Sequence, residues 1–200
     1  MRMSKIISIV LHPIFMPIIA FYLSIQLIPN LGFTITNYLT FIYLILIVST
    51  ILLPLMSILF LIKKKLVSSL EMRSHKERSL PLFITSLWMI YGHYKLMDIL
   101  AFTPILKAEL ISAIILIFIA AVISKYWKIS LHMIGIGGVV GVLFGLNFLF
   151  GGLSKVIMIS IFFSGVLGVS RLNEKAHSYA QIYLGFLVGF LVESIGVLFL

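Results

Sequence analysis

This 200-residue chain has no cysteine, a single aspartate (Asp98) and only six acidic residues in all. Without cysteine it can form no disulfide, no thiolate metal site and no thiol nucleophile. The few carboxylates are scattered, so no cluster suited to a divalent cation is visible, and no cofactor or metal is expected. The aspartate-rich metal motifs that an aromatic prenyltransferase requires are missing as well. Charge of either sign is scarce, at 10% of residues against 62% hydrophobic, with a mean hydropathy of +1.21. Soluble domains carry about 25% charged residues and an apolar share near one half. These absences exclude a water-soluble domain and leave an all-α, polytopic membrane bundle, a single domain over residues 1–200. The net charge of +9 rests on so few groups that basic residues at span ends account for it, and no nucleic-acid partner is expected.

What is present is a succession of long apolar runs. A span needs about 20 apolar residues, and seven runs fit, near 6–28, 39–62, 81–100, 104–124, 131–150, 153–169 and 178–200. Turn signals separate them: Pro29-Asn30 with Gly32, the polar run from Lys63 to Ser79, Thr103-Pro104, the segment 124–130, Gly151-Gly152, and a polar island from Ser170 to Gln181. The first run follows Arg2 and Lys5 as a secretory leader would. It is longer than a leader's apolar core of about 7–15 residues and is read as a retained span, kinked by Pro13 and Pro17. In the third run Gly92, His93, Lys95 and Asp98 crowd the second half, which leaves a shorter or re-entrant segment as the alternative. Gly137, Gly141 and Gly145 recur every fourth residue, as do Ser160, Ser164 and Gly168. Small residues at that stride let helices approach closely, so the fifth and sixth spans are expected to form a tight hairpin.

The island Ser170-Arg171-Leu172-Asn173-Glu174-Lys175-Ala176-His177-Ser178-Tyr179-Ala180-Gln181 concentrates the chemistry. Ionisable groups at a membrane are costly and mark function by default. Arginine presents a planar, permanently charged fork to phosphate oxygens, and histidine serves as nucleophile or general acid. Together they suggest phosphoryl chemistry at a membrane surface. Ser-Arg, five residues, His, three residues and a polar residue resembles the third signature of the type 2 phosphatidic acid phosphatase superfamily, with Gln181 standing where that family has Asp. Lys128-Ile129-Ser130-Leu131-His132 looks like its Pro-Ser-Gly-His signature. Arg73 to Pro81 looks like its Lys, six residues, Arg-Pro signature, with Glu71 in place of the Lys. The likeness covers Glu71 to about Gly189.

That resemblance implies an integral membrane lipid phosphatase of the bacterial inner membrane, acting on a lipid phosphomonoester or prenyl diphosphate through a phospho-histidine intermediate. It implies His177 as the nucleophile, His132 as the acid that protonates the departing alcohol, Arg171 as the phosphoryl clamp and Gln181 as the partner of the imidazole. Arg78, with Arg73 or Lys76, supplies further positive charge; Lys128, Ser130 and Ser170 complete the phosphate-binding set. The implied partners are the lipid phosphate and the surrounding membrane lipids. The alternatives are an inactive relative that binds or moves anionic lipid, and a small transporter with Glu193 in its path, which the lack of an internal repeat disfavours. Lys63-Lys64-Lys65 reads as a topology anchor or an anionic-lipid contact, His12 and His93 as packing or interface residues, and Glu193 as a carboxyl protonated or hydrogen-bonded near the far interface.

Parity constrains the layout. Two spans separate Arg73–Pro81 from His132 and two more separate His132 from Arg171, so all three basic stretches emerge on one face. That face carries Arg2, Lys5, Lys63, Lys64, Lys65, Arg73, Lys76, Arg78, Lys125, Lys128, Arg171 and Lys175. Only Lys95, Lys107 and Lys155 lie on the other, twelve against three. The positive-inside rule places the motif face in the cytoplasm, whereas bacterial members of the resembled superfamily commonly place the site outside. In this cysteine-free chain, Lys64→Cys or Asn173→Cys should resist a membrane-impermeant thiol reagent in intact cells; ready labelling would put the motif face outside.

Overall fold

The computed structural model describes residues 3–70, 72 and 74–200. Arg73 and Glu71 lie outside the described residues. The chain is an all-α bundle, and six of its helical runs are long and apolar enough to cross a membrane. Large apolar side chains such as Phe148, Phe162 and Leu59 are exposed on its outer surface, as expected of a protein whose solvent is lipid tails.

The first run, Met3–Leu27, breaks where the prolines stand. Helix α1 (Met3–Val10) ends before His12, a 3₁₀ turn covers Pro13–Phe15, and α2 (Met16–Leu27) resumes the course. Proline lacks the N–H a helix interior needs, and its ring clashes with the carbonyl four residues back. The His12 ring partly compensates, Nδ1 accepting from the Ile14 N–H at 3.3 Å. After a short α3 (Pro29–Phe33), the second run forms α4 (Leu39–Ile47) and α5 (Leu53–Lys63) around a π-helical turn at Val48–Leu52. Pro54 explains that turn, and the hydroxyls of Ser49 and Thr50 donate to the carbonyls of Ile45 and Leu46, both at 2.7 Å.

Helix α6 (Lys76–Leu100) is continuous for 25 residues, about 37 Å at the α-helical rise, so the third run is neither short nor re-entrant. Its polar second half explains why composition alone does not mark it as a span; it packs along α7 (Pro104–Tyr126). Helices α8 (Leu131–Phe150), α9 (Ser154–Asn173) and α10 (Tyr179–Phe199) follow. Helix α9 continues four residues past the expected end of its span, so Ser170 and Arg171 sit on its last turn rather than in a loop.

The glycine stride of α8 meets α10 rather than α9, while α8 and α9 still pack as neighbours, with Gly168 of α9 against Met133 of α8. A methyl group on Gly137 or Gly141 would strike the α10 carbonyl of Phe186 or Phe190, and one on Gly145 would strike the Val197 side chain. Reciprocally, a methyl on Gly185 or Gly189 would strike the α8 carbonyls of Ser130 or Ile134. Backbone meets backbone along this seam, so helices leaving the same membrane face lie almost in van der Waals contact. On α9, by contrast, Gly165 faces open space, and Ser164 donates to its own helix at Ser160.

Gly189→Ala should therefore lower thermal stability in detergent by about 1–3 kcal/mol, the usual cost of overpacking. Gly165→Ala should leave it unchanged or raise it. Equal effects from the two would show that the seam does not hold the bundle together.

Candidate functional site

The seam carries the N-terminal ends of α8 and α10 to one place, where the Ser130 N–H donates to the Gln181 carbonyl at 3.3 Å. His132 stands on the first turn of α8 and His177 just ahead of α10. Helix α10 begins with a capping box: Gln181 N–H donates to Ser178 Oγ at 3.4 Å, and Ser178 N–H donates to Gln181 Oε1 at 3.1 Å.

That box decides the chemistry of His177. Because the backbone N–H of Ser178 points at it, the Gln181 atom facing His177 is the amide oxygen, and His177 Nδ1 lies 3.1 Å from the same atom. An oxygen can only accept, so Nδ1 carries the hydrogen and Nε2 keeps its lone pair in the neutral ring. The ring is buried, at 9% exposure. Burial holds the imidazole down at about 4, against the support that Gln181 Oε1 gives the charged form, and Arg78, Arg171 and Lys128 push it further down. Near neutrality His177 is an uncharged imidazole among three cations.

The cations are held by different elements. Arg78, on the first turn of α6 and 9% exposed, donates from Nε to the Met72 carbonyl at 2.9 Å. Lys128, in the α7–α8 connection, is half-buried, and burial together with the fields of Arg78 and Arg171 lowers its ammonium below the ordinary lysine value. The preceding loop is tied down by His75, whose Nδ1–H donates to the Ser124 carbonyl at 3.0 Å, and by Ser68 Oγ, which donates to Glu77 at 2.7 Å. Lys76 is exposed and takes part in none of these contacts.

Arg171 has a partner that the sequence reading did not assign. Its Nη1 lies 2.6 Å from Glu174 Oε2, one turn on, and 3.2 Å from Ser8 Oγ, which itself donates to Glu174 Oε1 at 3.3 Å. The Nε of Arg171 is buried without a partner among the described residues. His132 is turned the same way: Nε2 meets the Ser8 carbonyl at 3.0 Å and therefore carries the hydrogen there. The His12 and His132 rings meet edge to face at 5.3 Å, so His12 belongs to the surroundings of the site rather than to generic packing.

Two expected phosphate ligands differ. The Ser170 hydroxyl donates to Val166 in its own helix at 2.8 Å, so its proton is already committed. Ser130 Oγ is wholly buried and has no partner among the described residues. Ser8, His12 and Glu174 were missed as site residues. The four-residue spacing from Ser8 to His12 and the three-residue spacing from Arg171 to Glu174 were the available signals, each weak on its own.

Arg78, Lys128, Arg171, His132, His177 and Gln181 thus form one basic cluster at one end of the bundle, where α1, α6, α8, α9 and α10 meet. Such an arrangement can hold an anion beside an uncharged imidazole nitrogen. No protein-family model, curated protein or solved structure matches the chain.

The His177 ring carbons should titrate with a midpoint near about 4 in carbon-labelled NMR spectra. Gln181→Met should lower that midpoint further, because the oxygen that supports the charged ring is gone. A midpoint near the ordinary histidine value of about 6.5 would contradict the buried, cation-flanked setting.

Proposed function

We propose that this integral membrane protein is a lipid phosphatase, distantly related to the type 2 phosphatidic acid phosphatases. It acts on a lipid phosphomonoester or prenyl diphosphate at the headgroup level of a bacterial inner membrane. The observation that carries the reading is His177: neutral, with its lone pair on Nε2, and close to Arg78, Lys128 and Arg171. An anionic headgroup reaches the end of the bundle by lateral diffusion, and the cations balance the charge that spreads over the phosphoryl oxygens in the transition state.

In this scheme His177 Nε2 attacks phosphorus as the bond to the alkoxide oxygen breaks. Gln181 supports the cationic ring through Nδ1–H, and His132, doubly protonated once the dianion is bound beside it, gives its Nε2 proton to the departing oxygen and is left as a neutral imidazole. Water then cleaves the phosphorus–nitrogen bond, releasing inorganic phosphate and restoring neutral His177. Two contacts must yield for this to happen. The Nε2–H of His132 has to leave the Ser8 carbonyl, and the phosphate has to share Arg171 with Glu174 or use its unpartnered Nε.

The Arg171–Glu174 pair favours a second reading, an inactive relative that binds anionic lipid. Gln181 in place of a carboxylate points the same way, because an amide orients the imidazole without stabilising its charge. The twelve-to-three basic bias supports a site on the cytoplasmic face in either reading.

Inorganic phosphate release from phosphatidate, phosphatidylglycerol phosphate and undecaprenyl diphosphate in detergent tests the proposal. His177→Ala should abolish release while leaving the protein folded, and release should survive chelation. Gln181→Asp should raise turnover with little change in apparent substrate binding, because the added charge acts mainly in the transition state. If wild type and Gln181→Asp both bind phosphatidate yet hydrolyse nothing in the panel, the lipid-binding reading replaces the enzyme.

A further inference from the structure

Below the basic cluster a cavity of about 150 Å³ runs into the bundle between α2, α4, α5, α6, α7, α8 and α10. His12, which is exposed, and Met72 stand at its end nearest the cluster. Its walls are mostly apolar, with Phe21, Leu46, Met89 and Leu116 among them; His12, Thr50, Thr85 and two carboxyl groups are the polar side chains that line it. Glu109 of α7 and Glu193 of α10 are 3% and 4% exposed, and both line the cavity.

Each carboxyl is held by a serine from another helix. Ser24 Oγ donates to Glu109 Oε2 at 2.8 Å, and Ser112 Oγ lies 2.5 Å from Glu193 Oε2. The seam contributes here too, since Gly138 passes against the Glu193 side chain. Glu109 Oε1, however, is buried without any partner among the described residues. An unsatisfied carboxyl oxygen at bilayer depth is expensive, and two buried carboxyls facing one cavity, one of them with such an oxygen, need a shared explanation. The phosphatase scheme uses neither.

We propose that this cavity is a second binding site, taking a small organic cation whose charged nitrogen carries an apolar body, such as a quaternary ammonium or protonated amine. The head lies against Glu109 Oε1 and Glu193 and supplies the countercharge that lets a carboxyl stay ionised at that depth. The body lies on the apolar walls. A bare metal ion fits poorly: it needs about six oxygen ligands, and the Ser24 and Ser112 hydroxyls already serve the carboxyls. Among the described residues no group of three or more His, Cys, Asp and Glu side chains is placed to hold a metal.

Equilibrium dialysis of the purified full chain with radiolabelled benzyltrimethylammonium tests the site, using its uncharged carbon isostere neopentylbenzene and sodium ion as competitors. Saturable binding of one cation per chain is expected. Unlabelled cation should displace it, and neither neopentylbenzene nor sodium should do so at equal concentration. Glu109→Gln, checked for folding by its thermal transition, should weaken binding at least tenfold. His177→Ala should leave it unchanged, which separates this site from the phosphate cluster. Absence of saturable binding at millimolar probe, or displacement by neopentylbenzene as effective as by the cation, would overturn the proposal with no variant needed. Displacement by sodium, or full affinity in folded Glu109→Gln, would do the same.

Discussion

The close approach of α8 and α10 is the constraint on which the rest depends. Gly137 and Gly141 face the carbonyls of Phe186 and Phe190, while Gly185 and Gly189 face those of Ser130 and Ile134. Apolar burial gives little drive for helix association in lipid, because the tails are as apolar as the side chains; packing and hydrogen bonds have to supply it. With no side chains between them, the two helices bring their N-terminal ends together, and the Ser130–Gln181 backbone contact closes the pair. His132 and His177 come together for that reason, although 44 positions of chain separate them. The same seam carries Glu193 beside Gly138 at the cavity.

Around that seam the bundle handles charge unevenly. At the basic end Arg171 is matched by Glu174, which leaves Arg78 and Lys128 without an acidic partner among the described residues and the His177 imidazole uncharged beside them. A buried cation cluster without enough counter-anions repels itself, so it is strained toward accepting a dianion. The inner cavity is lined by two carboxyl groups and, among the described residues, by no lysine or arginine. His12 borders both regions, lining the cavity and meeting the His132 ring edge to face.

The architecture was legible because apolar run length and turn residues act locally. Seven runs were placed near their helices, and the third proved a full 25-residue helix. Pro13 announced the break in the first run. What the sequence concealed was partner choice. A glycine stride says that a face can be approached closely but not by which helix, so Gly137–Gly145 was matched to α9 when it packs on α10. The gathering of Arg78, Lys128, Arg171 and His177 at one end followed from span parity, a topological argument that needs no distances. Ser8 was invisible because its contribution to His132 is a backbone carbonyl, which any residue carries. Glu109 escaped notice for a similar reason: its significance lies in sharing a cavity with Glu193, 84 positions away, not in its neighbours along the chain.

The central claim is that the neutral nitrogen of His177 receives a phosphoryl group. Rapid quenching of the protein with phosphatidate labelled in its phosphate, followed by peptide mapping under conditions that spare phosphohistidine, tests it most directly. The account predicts an acid-labile label on the peptide bearing His177, on the imidazole and on no other residue. Steady release of phosphate with label on another side chain, or with no labelled intermediate at any quench time, would contradict it.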